Sequence, residues 1–155
     1  MLRKVRIGSV GIGTALLLVL LAAAPGSAAR ASNEITVTAA DYAFAGMPAS
    51  LPAGRTFFAL RNEGKVRHEL SIVRLKAGVT AEEAIATIKA GGRRRDSTDG
   101  AAVLVIAAPG DEAARARVVV DLKQGETYLV VCTLKDKPDT PPHIMLGMYT
   151  SFRVE

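Results

Sequence analysis

Alternating apolar and polar residues dominate the sequence from residue 34 onward and predict a series of short β-strands. In Glu34–Thr38, Ile35 and Val37 share one face, as in a half-buried strand. Similar patterns predict strands at Arg55–Arg61, His68–Leu75, Arg117–Leu122, Tyr128–Thr133 and Met148–Val154, and Asp41–Phe44 is expected to continue the first strand in an extended conformation. The apolar run Ala101–Ile106 fits either a strand or buried coil. The glycine-containing segment Lys123–Glu126 predicts a hairpin between the strands on either side of it.

One segment has the periodicity of a helix. Apolar residues recur at i, i+3, i+4 and i+7 from Ala81 and predict an amphipathic helix over Ala81–Ala90. Thr80 and Glu83 form a capping box at its start, and Gly91-Gly92 predicts its end. We expect this helix to cover one edge or end of a β-structure, in preference to acting as a lid or partner surface.

Short strands with one inserted helix favour a mainly all-β fold, a Greek-key β-sandwich. Half-buried antiparallel strands must cover their apolar faces against a second sheet. The 155-residue length, 49% hydrophobic content and 23% charged content are typical of one globular domain. The sequence contains neither a repeat nor an internal linker, so we assign residues 32–155 to one domain.

Residues 1–31 are predicted to be a secretory signal peptide. A basic start, MLRKVR, precedes the apolar run Ile7–Ala24, and small residues follow as far as Ala31. The alternative is an uncleaved membrane anchor, because the apolar run spans 18 residues. Pro25-Gly26 and the small residues favour cleavage, after Ala29 or Ala31. The mature protein is then expected in the periplasm or outside the cell, without membrane attachment.

Removal of this leader changes the charge of the protein. The formal net charge of +5 falls to +1, with 16 basic and 15 acidic residues remaining. Arg93–Arg95 is the dense basic stretch that remains, and it lies in a predicted loop, Arg93–Gly100. We interpret it as a solvated turn, because a nucleic-acid interface needs a concentrated basic face. We therefore expect no binding to nucleic acid. We also expect the protein to be a monomer.

Candidate metal chemistry is concentrated in the last third of the chain. It holds the single cysteine, Cys132, together with His143, Met145 and Met148. A lone cysteine in an exported protein is a buried thiol, an intermolecular bridge or a metal ligand. Thiolate, imidazole and thioether are the soft donors that copper prefers, and His68 offers a second imidazole. Taken singly, each of these residues is better interpreted as an ordinary core or rim position.

The sequence resembles the cupredoxins, or blue copper proteins, over Glu34–Val154. The segments that carry the resemblance are ADYAFAG, PAGRTFFALRNEGKVRHEL, QGETYLVVC and HIMLGMYTSFRV. The resemblance implies an eight-stranded sandwich with copper at one end. The implied copper ligands are His68, Cys132, His143 and Met148.

Two details of the resemblance concern neighbouring residues. Asn62 resembles the asparagine with which cupredoxins brace the metal loop. Met145 competes for the axial position, but the His-x4-Met spacing and the preceding Gly147 match the family pattern at Met148.

The chain departs from the cupredoxin pattern in one loop. Ten residues separate Cys132 from His143, whereas familiar cupredoxins have only a few. The longer loop adds on the order of 1 kcal/mol of closure entropy, which metal binding can outweigh. We expect the longer loop to act on the geometry of the site. A distorted blue-copper centre, a Cu(I) site without fast electron transfer and the loss of metal binding are its three possible outcomes.

The favoured function is that of an exported copper-binding protein with a mononuclear, type 1-like site. It would serve electron transfer or copper carriage, with a redox or copper-donor protein as partner. The alternative is a metal-free cupredoxin-like binding or structural module. We do not expect an enzyme, because the sequence identifies no third group to orient a Cys-His pair. Zinc fits less well, because structural zinc sites seldom use methionine.

Overall fold

The computed structural model describes residues 33–113 and 115–155, which form two packed β-sheets. The strands are β1 (Asn33–Ala40), β2 (Ala43–Ala45), β3 (Ser50–Leu51), β4 (Gly54–Asn62), β5 (His68–Leu75), β6 (Thr98–Ala107), β7 (Arg117–Leu122), β8 (Thr127–Val131) and β9 (Tyr149–Val154). The helices are α1 (Ala81–Lys89), α2 (Arg94–Ser97) and a 3₁₀ helix, His143–Leu146. Within these ranges, no helix is long and apolar enough to cross a membrane. The predicted signal peptide, residues 1–31, lies outside the described residues.

The two sheets are both mixed. The first has the strand order β2-β1-β4-β7, and the second has the order β3-β9-β8-β5-β6. Strand β1 pairs in parallel with β4, and β3 pairs in parallel with β9, while the other pairs are antiparallel. The β-sandwich prediction is confirmed, but the expectation of purely antiparallel strands is wrong. Period-2 alternation shows which face of a strand is buried and carries no information on the direction of its neighbour.

The main core lies between the two sheets. Phe58 of β4 and Phe152 of β9 come from opposite sheets, and their ring centroids are 5.7 Å apart. Both rings are almost completely buried. Other buried core residues are Val37, Leu60, Leu70, Ile72, Val130 and Val154. Cys132 and Met148 belong to the same cluster, so the candidate metal residues are continuous with the core.

Helix α1 covers the outer face of the five-stranded sheet. Ala84 and Ile85 pack with Val73, Leu129 and Val131 in a second apolar cluster. The helix therefore lies on a sheet face, and the prediction that it covers an edge or end is wrong. Because the outer face is covered, strands β5 and β8 are buried on both sides.

The predicted capping box of α1 is confirmed. The Thr80 hydroxyl accepts a hydrogen bond from the Glu83 backbone N–H at 3.2 Å, and the Glu83 carboxylate accepts one from the Thr80 N–H at 2.9 Å. These two bonds satisfy backbone donors that the first turn of a helix leaves without partners.

The predicted hairpin around Lys123–Glu126 is wrong. Strand β7 pairs with β4 in the first sheet, whereas β8 pairs with β5 and β9 in the second. The Gly125 N–H donates to the Val154 carbonyl at 2.8 Å, so the turn is attached to the end of β9. Crossing between sheets allows Leu122 and Tyr128, on either side of the turn, to enter the same core.

The predicted loop Arg93–Gly100 contains regular structure. It includes α2 and the first residues of β6, and the strand alternative for Ala101–Ile106 is confirmed. The Asp96 carboxylate accepts a hydrogen bond from the Arg93 N–H at 2.9 Å and organises the single helical turn. A four-residue helix is too short to show a helical period in the sequence.

Candidate metal centre

Three donor residues from separate parts of the chain meet at one end of the sandwich. His68 begins β5, Cys132 directly follows β8, and His143 begins the 3₁₀ helix. Because β5 and β8 are antiparallel, the start of one strand lies beside the end of the other. The donor atoms of the three side chains lie within 4.8 Å of one another, and all three residues are 0% exposed. Two donors bound to one ion at about 2.0–2.3 Å are at most about 4.5 Å apart, so small movements would let all three reach one ion.

The Cys132 sulfur is held by backbone and side-chain contacts. Its Sγ accepts a hydrogen bond from the Glu69 N–H at 3.2 Å and lies 3.3 Å from His143 Nδ1. Burial raises the pKa of the thiol, and the Glu69 N–H offsets part of that rise. A bound cation would stabilise the thiolate that burial alone disfavours.

The His68 imidazole is buried without hydrogen-bond partners. Among the residues that the structure describes, no group bonds to Nδ1 or Nε2 of this ring. Burial lowers the pKa of His68, and the nearby His143 lowers it further, which favours the neutral form with an available lone pair. Leaving a buried polar atom unpaired costs about 1–3 kcal/mol. A metal ion at this position would remove part of that cost, so the residues present fit a metal.

Asn62 braces the loop that leads to His68. Its side-chain amide donates to the Val66 carbonyl at 2.8 Å and to the Ala107 carbonyl at 3.0 Å. Its Oδ1 accepts the Gly64 N–H at 2.9 Å. A β-carbon at Gly64 would lie 2.8 Å from His68 Nε2, so glycine gives the imidazole its space.

The two candidate methionines have different surroundings. Met148 is 0% exposed and lies in the same core cluster as Cys132, whereas Met145 is 39% exposed. The Cys132 N–H donates to the Met148 carbonyl at 3.1 Å. Gly147 has a φ of +107°, which turns the chain between the 3₁₀ helix and β9. The surroundings therefore favour Met148 as the thioether near the three donors.

The long loop between Cys132 and His143 is closed by backbone hydrogen bonds. The His143 N–H donates to the Leu134 carbonyl, and the Ile144 N–H donates to the Cys132 carbonyl, both at 2.8 Å. Residues 135–142 leave the site and return at this closure. The relative position of Cys132 and His143 is therefore fixed close to the site, whatever the length of the loop.

Two further residues contact His143, and no motif in the sequence signals either of them. Asp136 Oδ1 lies 3.0 Å from His143 Nε2, and the Tyr42 hydroxyl donates to Oδ2 of the same carboxylate. The hydrogen bond from Tyr42 is the main reason why the pKa of Asp136 is lowered, and it raises the pKa of Tyr42. The Tyr42 ring packs edge-on against His143, with centroids 4.9 Å apart. No short-range pattern signals a contact between residues 94 positions apart.

Comparison with known proteins identifies the fold. No protein-family model matches the sequence, and no curated protein matches it. A dithionite-reduced auracyanin from Roseiflexus castenholzii matches with a TM-score of 0.50 and 20% identity, over 80% of this chain and 98% of that chain. Auracyanin B matches at 0.49 and 23%, over 79% and 88%. Auracyanin A, a "blue" copper protein of Chloroflexus aurantiacus, matches at 0.46 and 20%, over 79% and 98%. The chain has the cupredoxin fold, as the resemblance in its sequence implied.

Proposed function

We propose that this protein binds one copper ion and transfers single electrons. The proposed ligands are His68, Cys132 and His143, with Met148 as a weak fourth ligand. The observation that carries the proposal is the His68 ring, which is fully buried, has no hydrogen-bond partner among the described residues, and faces a thiol and a second imidazole. One copper ion would bind all three donors together.

The donor set supports copper over other common metals. A thiolate, two imidazoles and a distant thioether are typical of blue-copper sites. Structural zinc sites more often complete a tetrahedron with cysteine or histidine, and calcium and magnesium prefer oxygen donors. The described residues place no carboxylate among the three donors.

Electron transfer is supported by how firmly the chain holds these donors. Copper, when bound, would supply the one-electron chemistry by alternating between two oxidation states. Backbone hydrogen bonds join Cys132 to Met148 and to Ile144, so the segments that carry the donors are tied to one another. Because the three donor residues are buried, water has little access to them. A rigid and dry site changes little between oxidation states, which favours rapid transfer.

Location and partners are further parts of the proposal. The leader-like composition of residues 1–31 supports a role outside the cytoplasm, in the periplasm or beyond the cell. The expected partners are a redox protein that exchanges electrons with the site and a copper-donor protein that loads it.

Titration with Cu(II), followed by visible absorption, tests this function. We expect an intense thiolate-to-copper band that saturates at one equivalent, is bleached by a reductant and returns on reoxidation. Cys132→Ser removes the thiolate and should remove the band, while the fold, checked by circular dichroism, remains. A folded wild-type protein that takes up no copper would refute the function and favour a metal-free binding module.

A further inference from the structure

The far side of the His143 imidazole is covered by two side chains. Asp136 Oδ1 lies 3.0 Å from Nε2, and the Tyr42 hydroxyl donates to the other carboxylate oxygen. His143 is 0% exposed, and the Asp136 side chain is only 26% exposed. The imidazole is therefore held between Cys132 on one side and a carboxylate on the other.

The backbone at Tyr42 is strained. Asp41 and Tyr42 connect β1 to β2 and have φ values of +35° and +71°. A two-residue connection with both φ values positive favours asparagine followed by glycine, and a bulky residue in the second position is unfavourable. Strain of this kind persists where the surrounding contacts maintain it, and it concentrates at functional sites. Here the contacts that maintain the strained backbone are those of Tyr42 with Asp136 and His143.

The extended loop supplies the carboxylate. Asp136 lies two residues beyond Leu134, whose carbonyl closes the loop on His143. The following turn is fixed by Thr140, whose hydroxyl donates to the Lys137 carbonyl at 2.9 Å and accepts the Lys137 N–H at 3.1 Å. The extra residues therefore form an ordered excursion that brings a carboxylate back to the imidazole.

We propose that Asp136 and Tyr42 are positioning residues. They hold His143 so that its Nε2–H donates to the Asp136 carboxylate and its Nδ1 faces Cys132. This proposal rests on the proposed copper function. Tyr42 fixes the carboxylate by its hydrogen bond and shields the imidazole from solvent by its ring. Carboxylate-histidine-metal pairs fix the tautomer and orientation of the ligand and make it a stronger donor. A stronger donor favours Cu(II) over Cu(I), so the pair lowers the reduction potential of the site.

The groups on either side of His143 support the same proton arrangement. The Cys132 sulfur lies 3.3 Å from His143 Nδ1. Nε2 faces the Asp136 carboxylate, which only accepts hydrogen bonds, so Nε2 is the nitrogen that carries the proton.

Copper affinity and reduction potential test the proposal in the full-length protein. Asp136→Asn keeps an acceptor and removes the charge, and we expect it to weaken Cu(II) binding about 10–100-fold. We expect a smaller loss for Cu(I), and each tenfold difference between the two losses raises the potential by about 59 mV. Tyr42→Phe should shift both quantities in the same direction by less. Asp139→Asn removes the same charge from an exposed position on the same loop and should leave both unchanged.

Nitrogen NMR of the metal-free protein gives a readout that does not depend on copper. The chain has two histidines, and His68→Gln assigns their signals. We expect the Nε2–H tautomer at His143 in the wild type and a mixture of tautomers in Asp136→Ala. An Nδ1–H tautomer in the wild type, or an Asp136→Asn protein with the affinity and potential of Asp139→Asn, would overturn the proposal. A wild type that takes up no copper would refute the copper function, and the tautomer would still decide the hydrogen bond.

Discussion

Replacement of Gly64 by alanine tests the space around His68. Gly64 is buried in the loop braced by Asn62, and its φ lies outside the left-handed region, so alanine adds volume without backbone strain. The new β-carbon would lie 2.8 Å from His68 Nε2, and 3.2 Å from Asn62 Oδ1 and the Asp41 nitrogen. It is therefore in contact with the imidazole, the brace and the turn before Tyr42.

The expected size of the effect follows from these distances. An ordinary contact begins near 3.4 Å, so the imidazole and the loop must separate by about 0.6 Å. Overpacking of this kind costs typically 1–3 kcal/mol of folding free energy. The movement displaces a proposed ligand directly, so we expect copper affinity to fall by at least the 10–100-fold seen when a ligand loses its support.

Gly92→Ala is the matched control. Its β-carbon would lie 2.7 Å from Thr87 Cγ2, beyond the end of α1, and its φ is also outside the left-handed region. Urea denaturation of the metal-free proteins should show that both variants are destabilised. Copper competition and visible absorption should show that only Gly64→Ala weakens and shifts the site. A folded Gly64→Ala protein with the affinity and spectrum of the wild type would show that the space at Gly64 does not position His68.

Four further predictions concern the cap, the core and the axial position. Thr80→Ala should lower stability by about 0.5–2 kcal/mol in urea denaturation, because α1 loses its cap. Copper affinity should stay unchanged, and a loss of copper affinity would contradict a purely structural role for the cap. Hydrogen bonds from Thr80 hold the pKa of Glu83 below its ordinary value of 4.5, so its contribution is present above about pH 4.5 and is lost as pH falls through the lowered pKa. The stability difference between wild type and Glu83→Gln should shrink over that range. Phe58→Ala should cost about 3–5 kcal/mol in the same assay, and a cost below about 1 kcal/mol would refute the core assignment. Met148→Leu should raise the reduction potential measured by voltammetry, because a donor to Cu(II) is lost, while equal shifts in Met148→Leu and Met145→Leu would contradict the axial role.

Much of the fold could be predicted because several strands carry their own alternation of apolar and polar residues. Ile35 and Val37 alternate with polar residues, and Thr80 and Glu83 mark the start of α1 within four residues. The direction and partner of each strand could not be predicted in this way. The segment Lys123–Glu126 has the composition of a hairpin turn, but it crosses between sheets because pairing depends on strands far away in the sequence.

Part of the candidate site could be predicted from the sequence, and part of it could not. Cysteine, histidine and methionine are recognisable as soft metal ligands by residue type alone. Together with the family resemblance, this predicted the convergence of His68, Cys132 and His143. Asp136 and Tyr42 are ordinary residue types in a loop and a turn, and only the folded chain brings them to His143. The strain at Tyr42 is likewise a property of the backbone that no composition signal reveals.

A crystal structure of the copper-loaded protein, with anomalous data at the copper edge, would show where the metal binds. It should show one copper ion bound by His68, Cys132 and His143, with Met148 as the more distant fourth ligand. A copper ion bound elsewhere, or a folded protein with no ordered copper among these three residues after loading, would show that they do not form the copper site.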